Sequence, residues 1–213
     1  RMQIATAATN HNTRHPLITG SWATTMHRLS RGRFTLGIGR GIGAIYNSFG
    51  IPAVTTAQME DFAQVMRRLW RGELIFNHDG PLGKYPILFL DPDFREDIRL
   101  AIVAFGPQTL ALGGREFDDV ILHTYFTPET LQRAVKTVKD AAEQAGRDPA
   151  RVKVWSCFAT VGDHLPEELR LKKTVARLAT YLQGYGDLLV NTNNWDPAVL
   201  QRFRDDPVVQ SVP

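Results

Sequence analysis

The chain has 213 residues, of which 43% are hydrophobic and 22% are charged, and this is the composition of an ordinary globular protein. Its net charge of +3 is too small to favour a nucleic-acid-binding protein. No stretch approaches the roughly 18 apolar residues of a membrane span, and the single cysteine, Cys157, excludes an internal disulfide. We therefore expect a soluble, cytoplasmic protein that binds neither nucleic acid nor membranes.

The charges are unevenly distributed along the chain. The first acidic residue is Glu60, and residues 1–59 carry six arginines. A basic segment of this kind suits an anionic ligand, and solvated arginines at helix ends would give the same pattern.

Predicted strands and helices alternate along the sequence. Short apolar or β-branched runs predict the strands, and apolar residues at helical spacing predict the helices. The predicted strands are 4–9, 33–36, 98–104, 120–122 and 152–161. The predicted helices are 13–29 with Thr13 as its cap, 55–72, 108–114, 128–145 and 166–183. Residues 74–94 predict a hairpin outside the main sheet, and residues 191–197 have the composition of a loop.

This alternation implies βαβ units and a parallel sheet, because a parallel crossover needs a connection of helix length. The fold class is therefore α/β. A complete (β/α)8 barrel usually takes about 250 residues, and the predicted strands are too few for one. An open doubly wound sheet and part of a barrel both remain compatible with the pattern.

A glycine cluster, Gly37-Ile38-Gly39-Arg40-Gly41-Ile42-Gly43, follows the second predicted strand. Glycines allow backbone amides to approach a phosphate closely. The letters fit a dinucleotide fingerprint, but the acidic residue that it requires would be Glu60, which lies in a predicted helix. The cluster is either a phosphate or cofactor loop or a structural turn.

Two other predicted strands end in residues suited to ligand binding. Ala104-Phe105-Gly106 precedes a helix, and His123-Thr124 follows the strand 120–122. Ligands of parallel α/β folds bind at the carboxyl ends of strands, so these residues and the glycine cluster could converge on one site. Taken singly, Gly106-Pro107 is more often a plain turn, and His123 is more often a packed histidine than a catalyst. Their joint placement favours a functional site as much as a structural one.

Other candidate chemistry is weak. His11 and His15 have no partner at metal-ligand spacing, so we expect no metal site. Cys157 lies within the predicted strand 152–161, where a packed thiol is expected.

Several segments together resemble the luciferase-like monooxygenase family, which folds as a (β/α)8 TIM barrel. They are Thr13-Arg14-His15-Pro16, residues 29–39, Phe105-Gly106-Pro107 and residues 145–149. The first segment, preceded by Thr9-Asn10, is most similar to the branch of methylenetetrahydromethanopterin reductase, which uses coenzyme F420. The resemblance implies an incomplete barrel containing strands 3 to 7. It also implies a single domain over residues 1–213, in which residues 163–213 form a helical region specific to a subgroup.

The resemblance also implies the coenzyme-binding residues. A bulge with a non-prolyl cis peptide at Ala7-Ala8 would lie behind the deazaflavin ring, and Thr9 and Asn10 would border the ring. The residues implied for the ribityl and phosphate side are Gly39, Arg40, Gly41, Ala104, Phe105, Gly106, His123 and Thr124. Where the family usually has Asp-Gly, this chain has Asp118-Asp119, so the close backbone approach there is in question.

The function implied by the resemblance is hydride transfer between F420 and a small organic substrate, and a homodimer would be usual for the family. No catalytic residue is assigned, because the acid and base groups of the family often come from the first two strands. An FMN-dependent monooxygenase of the same fold is the alternative enzyme. A non-catalytic protein that binds a deazaflavin or flavin is the alternative from another class.

Overall fold

The computed structural model describes residues 2–211, with the side chain of Ala44 left out, and the chain divides into two compact units. The first unit contains residues 1–122 and 134–155, and the second contains residues 123–133 and 156–213.

The elements alternate as the sequence predicts. The strands are β1 (Ile4–Ala5), β2 (Phe34–Ile38), β3 (Ile75–Gly80), β4 (Gly83–Leu88), β5 (Arg99–Ala104), β6 (Asp119–Leu122) and β7 (Lys153–Trp155). The helices are α1 (Pro16–Leu29), α2 (Gly43–Ser48), α3 (Thr56–Trp70), α4 (Pro107–Glu116), α5 (Pro128–Gln144), α6 (Glu167–Asn193), α7 (Pro197–Asp205) and α8 (Pro207–Gln210). Short 3-10 turns lie at His11–Thr13, Pro92–Phe94 and Pro149–Arg151.

Within residues 2–211, a five-stranded parallel sheet in the order β1-β2-β5-β6-β7 forms the centre of the first unit. Leu36 is paired with Leu100, and Ile102 with Val120. These four side chains are fully buried. All five residues of β2 are buried, so both faces of the sheet are covered at this strand, as expected for a parallel sheet. The α/β class with a parallel sheet is therefore confirmed.

Helix α3 forms as its local sequence predicts. The amide of Gln58 donates to the Thr55 hydroxyl at 3.1 Å, and the Thr55 amide donates to the Gln58 side chain at 2.9 Å. This capping box satisfies two amides that a helix start otherwise leaves unpaired. Phe62 and Met66 lie on the buried face, and Gly72, at a φ of +79°, ends the helix.

The predicted hairpin is confirmed as β3 and β4, an antiparallel pair separate from the main sheet. One oxygen of the Asp61 carboxylate, Oδ2, accepts from the Leu82 amide at 2.8 Å and lies 3.0 Å from Nε2 of His78. Asp61 belongs to α3, so this carboxylate fastens the hairpin to the helix.

The residues Asp118-Asp119 bind the protein itself at the start of β6. The Asp118 carboxylate accepts from the Leu100 amide at 2.9 Å and from Arg67 at 3.1 Å. The buried Asp119 carboxylate accepts from Arg99 and from the Trp155 indole, each at 2.8 Å. Asp118 therefore connects β5 to α3, and Asp119 connects β6 to β5 and β7.

The start of the first helix differs from the prediction. Helix α1 begins at Pro16, and its cap is His15, whose Nδ1 accepts from the Leu17 amide at 3.2 Å. Thr13 lies in a 3-10 turn and donates instead to the carbonyl of Asn10 at 2.9 Å. The hydroxyl therefore cannot serve as the predicted helix cap.

The fifth strand is shorter than predicted, and the assignment of Cys157 to a packed strand is wrong. The strand β7 ends at Trp155, which is paired with Ile121, and β6 itself ends one residue later. Residues 156–161 have no regular secondary structure, and Cys157 is exposed.

The last predicted helix is longer than expected. Helix α6 continues to Asn193 with a break at Tyr185, so residues 191–193 are helical rather than a loop. Asp196 is the cap of α7. Between residues 2 and 211, no helix combines the length and the apolar character that crossing a membrane requires.

Candidate functional site

The carboxyl ends of β1, β2 and β5 lie at one edge of the sheet, because these strands are parallel neighbours. Ten of the residues expected to bind the coenzyme are at or directly after these ends. They are Ala7, Ala8, Thr9, Asn10, Gly39, Arg40, Gly41, Ala104, Phe105 and Gly106. His123 and Thr124 belong to the second unit.

A bulge follows β1. Ala5 is paired with Thr35 and Thr9 with Ile38, so four steps on the first strand oppose three on the second. The extra residue makes the chain bend away from the ladder. The predicted strand 4–9 is therefore interrupted, and the bulge brings Ala7 and Ala8 to the surface.

The expected cis peptide at Ala7-Ala8 is not present, since no peptide bond between residues 2 and 211 is cis. The hydroxyl of Thr6 donates to the Gly37 carbonyl and accepts from the Gly37 amide, each at 2.9 Å. These two hydrogen bonds accommodate the extra residue with trans peptides, which are favoured by about 3 kcal/mol at non-prolyl bonds.

The glycine loop after β2 is held by Asn10. The Asn10 side-chain amide donates to the Arg40 carbonyl at 2.9 Å, and its oxygen accepts from the Tyr46 hydroxyl at 2.8 Å. Gly41 has a φ of +68°, and a Cβ at this position would overlap the Tyr46 ring. Glycine is therefore required at position 41, both because of the positive φ and because the Tyr46 ring leaves no space for a side chain.

The side chain of Arg40 binds the protein rather than facing outward. Its guanidinium donates to the Val54 carbonyl at 2.8 Å, to the Thr109 hydroxyl at 3.3 Å and to the hydroxyl of Thr56. Burial lowers the pKa of Arg40. The loop thus offers a ligand its backbone, while the Arg40 charge links the starts of α3 and α4.

The N-terminus of α4 is open. Gly106 is the cap residue and supplies no side chain to the first amides of this ten-residue helix. Among the described residues, and apart from Gly106 and its two chain neighbours, no atom lies within 4 Å of the position that a Cβ on Gly106 would occupy. Unpaired amides and the positive end of the helix dipole suit an anionic group.

Two residues that the sequence did not single out also border this edge. Arg14 is exposed and donates from Nη1 to the Thr9 hydroxyl at 3.0 Å, and Tyr46 closes the glycine loop. Arg14 lies within the motif at residues 13–16, which was a signal for its position. No local pattern marks Tyr46.

His11 lies beneath the same edge and is 3% exposed. Its ring packs 5.0 Å from the ring of Phe62, and its Nδ1 has no hydrogen-bond partner among the described residues. Burial lowers the pKa of His11 from 6.5 to about 4. The imidazole is therefore neutral at pH 7.

In the second unit, Thr124 is buried, and its hydroxyl has no hydrogen-bond partner within residues 2–211. His123 is half-buried and packs against the rings of Tyr181 and Tyr185 at 5.2 and 5.1 Å. Burial lowers the pKa of His123. The phosphate contacts of both residues stay predictions.

Among the described residues there is no group of three or more His, Cys, Asp or Glu side chains that could hold a metal ion.

The luciferase-like monooxygenase family model matches residues 1–205 of the chain. The chain belongs to the luciferase-like monooxygenase family. This confirms the family expected from the motifs in residues 9–16, 29–39 and 105–107.

Two curated relatives resemble the chain. The phthiodiolone/phenolphthiodiolone dimycocerosates ketoreductase of Mycobacterium tuberculosis (strain ATCC 25618 / H37Rv) is 32% identical over 156 residues, which are 71% of this chain and 41% of the relative. The 5,10-methylenetetrahydromethanopterin reductase of Methanolobus tindarius is 29% identical over 206 residues, which are 92% of this chain and 60% of the relative. The chain thus spans 41% and 60% of the lengths of these relatives.

A coenzyme F420 dependent tetrahydromethanopterin reductase from Methanopyrus kandleri has a similar structure. Its TM-score is 0.77 at 23% identity, over 93% of this chain and 61% of that chain. At this identity the likeness shows the fold alone, which is the α/β fold of the luciferase-like barrels. The numbering of the strands as 3 to 7 of a barrel stays a prediction.

Proposed function

We propose that the chain functions in a coenzyme F420-dependent oxidoreductase that transfers a hydride between the deazaflavin and a small organic substrate. The observation that carries this proposal is the 29% identity to 5,10-methylenetetrahydromethanopterin reductase over 92% of the chain. The similar structure from Methanopyrus kandleri is described as F420-dependent, which supports the same coenzyme.

The residues at the carboxyl edge fit such a coenzyme. Ala7 and Ala8 are small and exposed, as close contact with a flat ring requires. A Cβ on Gly39 would lie 3.0 Å from the Cβ of Ala8, so glycine keeps the neighbouring backbone close to the bulge. The open space at Gly106 and the uncapped start of α4 suit the phosphate.

From these features we propose roles for this chain's own residues. The bulge at Ala7-Ala8 would support the ring, the backbone of residues 39–41 would lie along the ribityl chain, and the α4 amides would bind the phosphate. When bound, F420 supplies the hydride chemistry at its C5, and the protein contributes orientation and exclusion of water. Arg14 adds a positive charge beside Thr9, which suits an acidic coenzyme.

The experiment is a fluorescence titration of the full chain with F420, and with FMN in parallel, at low and high salt. We expect saturable binding of F420 that Gly41→Val weakens strongly. Gly146→Val is the matched control, because Gly146 also has a positive φ, +70°, but in the described part of the chain only its direct neighbours lie within 4 Å of its Cβ position. Lack of binding to either coenzyme, by a chain that circular dichroism shows to be folded, would contradict the proposal.

An FMN-dependent luciferase-like monooxygenase is the second candidate, favoured by the description of the matching family. Tighter binding of FMN than of F420, with oxygen consumption in the presence of a flavin reductase, would support it. Tight coenzyme binding with no hydride transfer across a panel of ketones and alcohols would instead indicate a non-catalytic binding protein.

We also propose a cytoplasmic homodimer, for which light scattering measures the oligomeric state.

A further inference from the structure

A cavity lies within the second unit. It has a volume of about 500 Å³ and lies between the extended segment 158–161 and the first half of α6. Its lining includes Tyr125, Phe158, Val161, Lys173, Thr174 and Arg177. This volume is within the range of roughly 300–1,000 Å³ that ligand pockets occupy.

The charge of this cavity is positive. Lys173 and Arg177 are four residues apart on α6, so they lie on the same face of the helix. Within residues 2–211 no carboxylate lines the cavity, and Lys173 makes no ion pair. The Arg177 guanidinium lies 5.2 Å from the ring centre of Tyr181, which orients its charge. The cavity therefore offers two cations and no competing anion.

Aromatic and apolar groups form the rest of the wall. Phe158 is 79% exposed although it is a large apolar residue. Tyr125 has a φ of +67°, which is uncommon for a residue other than glycine and requires support from its surroundings. A buried side chain provides this support.

That side chain is Asn193, near the end of α6. Its amide donates to the Tyr125 carbonyl at 2.8 Å, and its oxygen accepts from the Thr127 amide at 3.2 Å. Burial raises the pKa of the Tyr125 phenol, and Arg177 opposes this rise. The Tyr125 backbone is thus held by Asn193, and its phenol, which is protonated at neutral pH, belongs to the cavity lining.

We propose that this cavity binds an organic anion, a carboxylate or phosphate monoester attached to an aromatic or apolar body. The anionic head would bind Lys173 and Arg177, and the body would pack on Phe158. This inference goes beyond the coenzyme proposal and does not depend on it, since none of the residues that line the cavity is among those expected to bind the coenzyme.

The test is isothermal titration calorimetry of the full chain with 2-naphthoate and no coenzyme. We expect one-to-one binding that Lys173→Gln and Arg177→Gln each weaken about tenfold, because each removes a charge-assisted contact. Lys172→Gln is the matched control: Lys172 is adjacent on the same helix and does not line the cavity. The Lys172→Gln variant should bind 2-naphthoate with the same affinity as the unmodified chain.

Three further titrations separate the parts of the proposal. 2-Naphthylmethanol, a neutral analogue, should bind at least about tenfold more weakly, and equal affinity would overturn the role of the anion. If inorganic phosphate bound as tightly as 2-naphthoate, this would overturn the role of the organic body. 1-Naphthyl phosphate distinguishes a phosphate from a carboxylate ligand.

The proposal also fails if 2-naphthoate does not saturate a folded chain, or if Lys172→Gln weakens binding as much as Lys173→Gln. Circular dichroism of each variant verifies folding. If Arg177→Gln does not fold, the titration of Lys173→Gln tests the proposal. Lys173 is exposed, so we expect its substitution to leave the fold intact.

Discussion

The hydroxyl of Tyr46 donates a hydrogen bond to the side-chain oxygen of Asn10 at 2.8 Å, between residues 36 positions apart in the sequence. The amide of the same Asn10 side chain donates to the Arg40 carbonyl at 2.9 Å. One side chain after β1 therefore holds both sides of the glycine loop after β2. A loop fixed in this way presents its backbone to a ligand in one conformation before binding.

The variant Tyr46→Phe tests this arrangement. It removes one hydrogen bond and keeps the ring against Gly41, so we expect a loss of about 1 kcal/mol in the free energy of unfolding. Because the loop becomes less ordered, F420 affinity should also fall. Urea unfolding and coenzyme fluorescence measure the two effects.

Tyr85→Phe is the control for this variant. It removes a hydroxyl whose hydrogen bond to the Leu82 carbonyl, at 3.4 Å, lies within the hairpin. We expect unchanged F420 affinity. If the two variants bind F420 equally well, Tyr46 does not order the coenzyme loop.

The glycine pair Gly41 and Gly146 separates backbone strain from overlap of side chains. Both have a positive φ, at +68° and +70°. Gly146→Ala should lose about 1 kcal/mol of unfolding free energy, the cost of an alanine in the left-handed region. Gly41→Ala should lose more, because its Cβ would also overlap the Tyr46 ring. Equal losses in urea unfolding would show that the ring moves aside freely.

The elements with local signals could be predicted from the sequence. Helix α3 carries its cap at Thr55 and Gln58 and its stop at Gly72, so no distant residue is needed to define it. The end of β7 was not predictable in this way. Trp155 is the last residue of the strand, and β6 ends only one residue beyond its partner Ile121. Residues 156–161 carry no local signal for the length of that neighbouring strand.

In the candidate site, too, some features have local sequence signals and others depend on distant residues. Residues 37–43 are visible as a glycine cluster, and the family resemblance anticipated a bulge at Ala7-Ala8. The bulge is joined to β2 by the two hydrogen bonds between Thr6 and Gly37, and the closure of the loop depends on Tyr46. Both are contacts between residues about 30 or more positions apart, which no local pattern reports.

Buried His11 should make stability depend on pH. Its pKa is about 4 in the folded chain and 6.5 when unfolded, so between these values the unfolded state binds more protons. The free energy of unfolding therefore has its full value above pH 6.5. It decreases by on the order of 3 kcal/mol as the pH falls toward 4.

The variant His11→Leu isolates this effect, because leucine keeps an apolar contact with Phe62 and does not titrate. We expect its unfolding free energy to fall less than that of the unmodified chain between pH 7 and 4. If His11→Leu and the unmodified chain have parallel pH profiles, the imidazole is not held neutral by burial.

The Asp119 carboxylate should contribute far more to stability than an exposed carboxylate. Its side chain is 5% exposed and accepts from Arg99 and from the Trp155 indole at 2.8 Å each. Asp119→Ala leaves these two donors without their acceptor, so we expect a loss of about 3 kcal/mol in unfolding free energy. Asp79→Ala removes an ion pair with Lys84 of the same 2.8 Å length, but both side chains are mostly exposed, so its effect should be small. If urea unfolding shows similar losses for both variants, burial of Asp119 does not strengthen its contacts, and the joining of β5, β6 and β7 at this point has another cause.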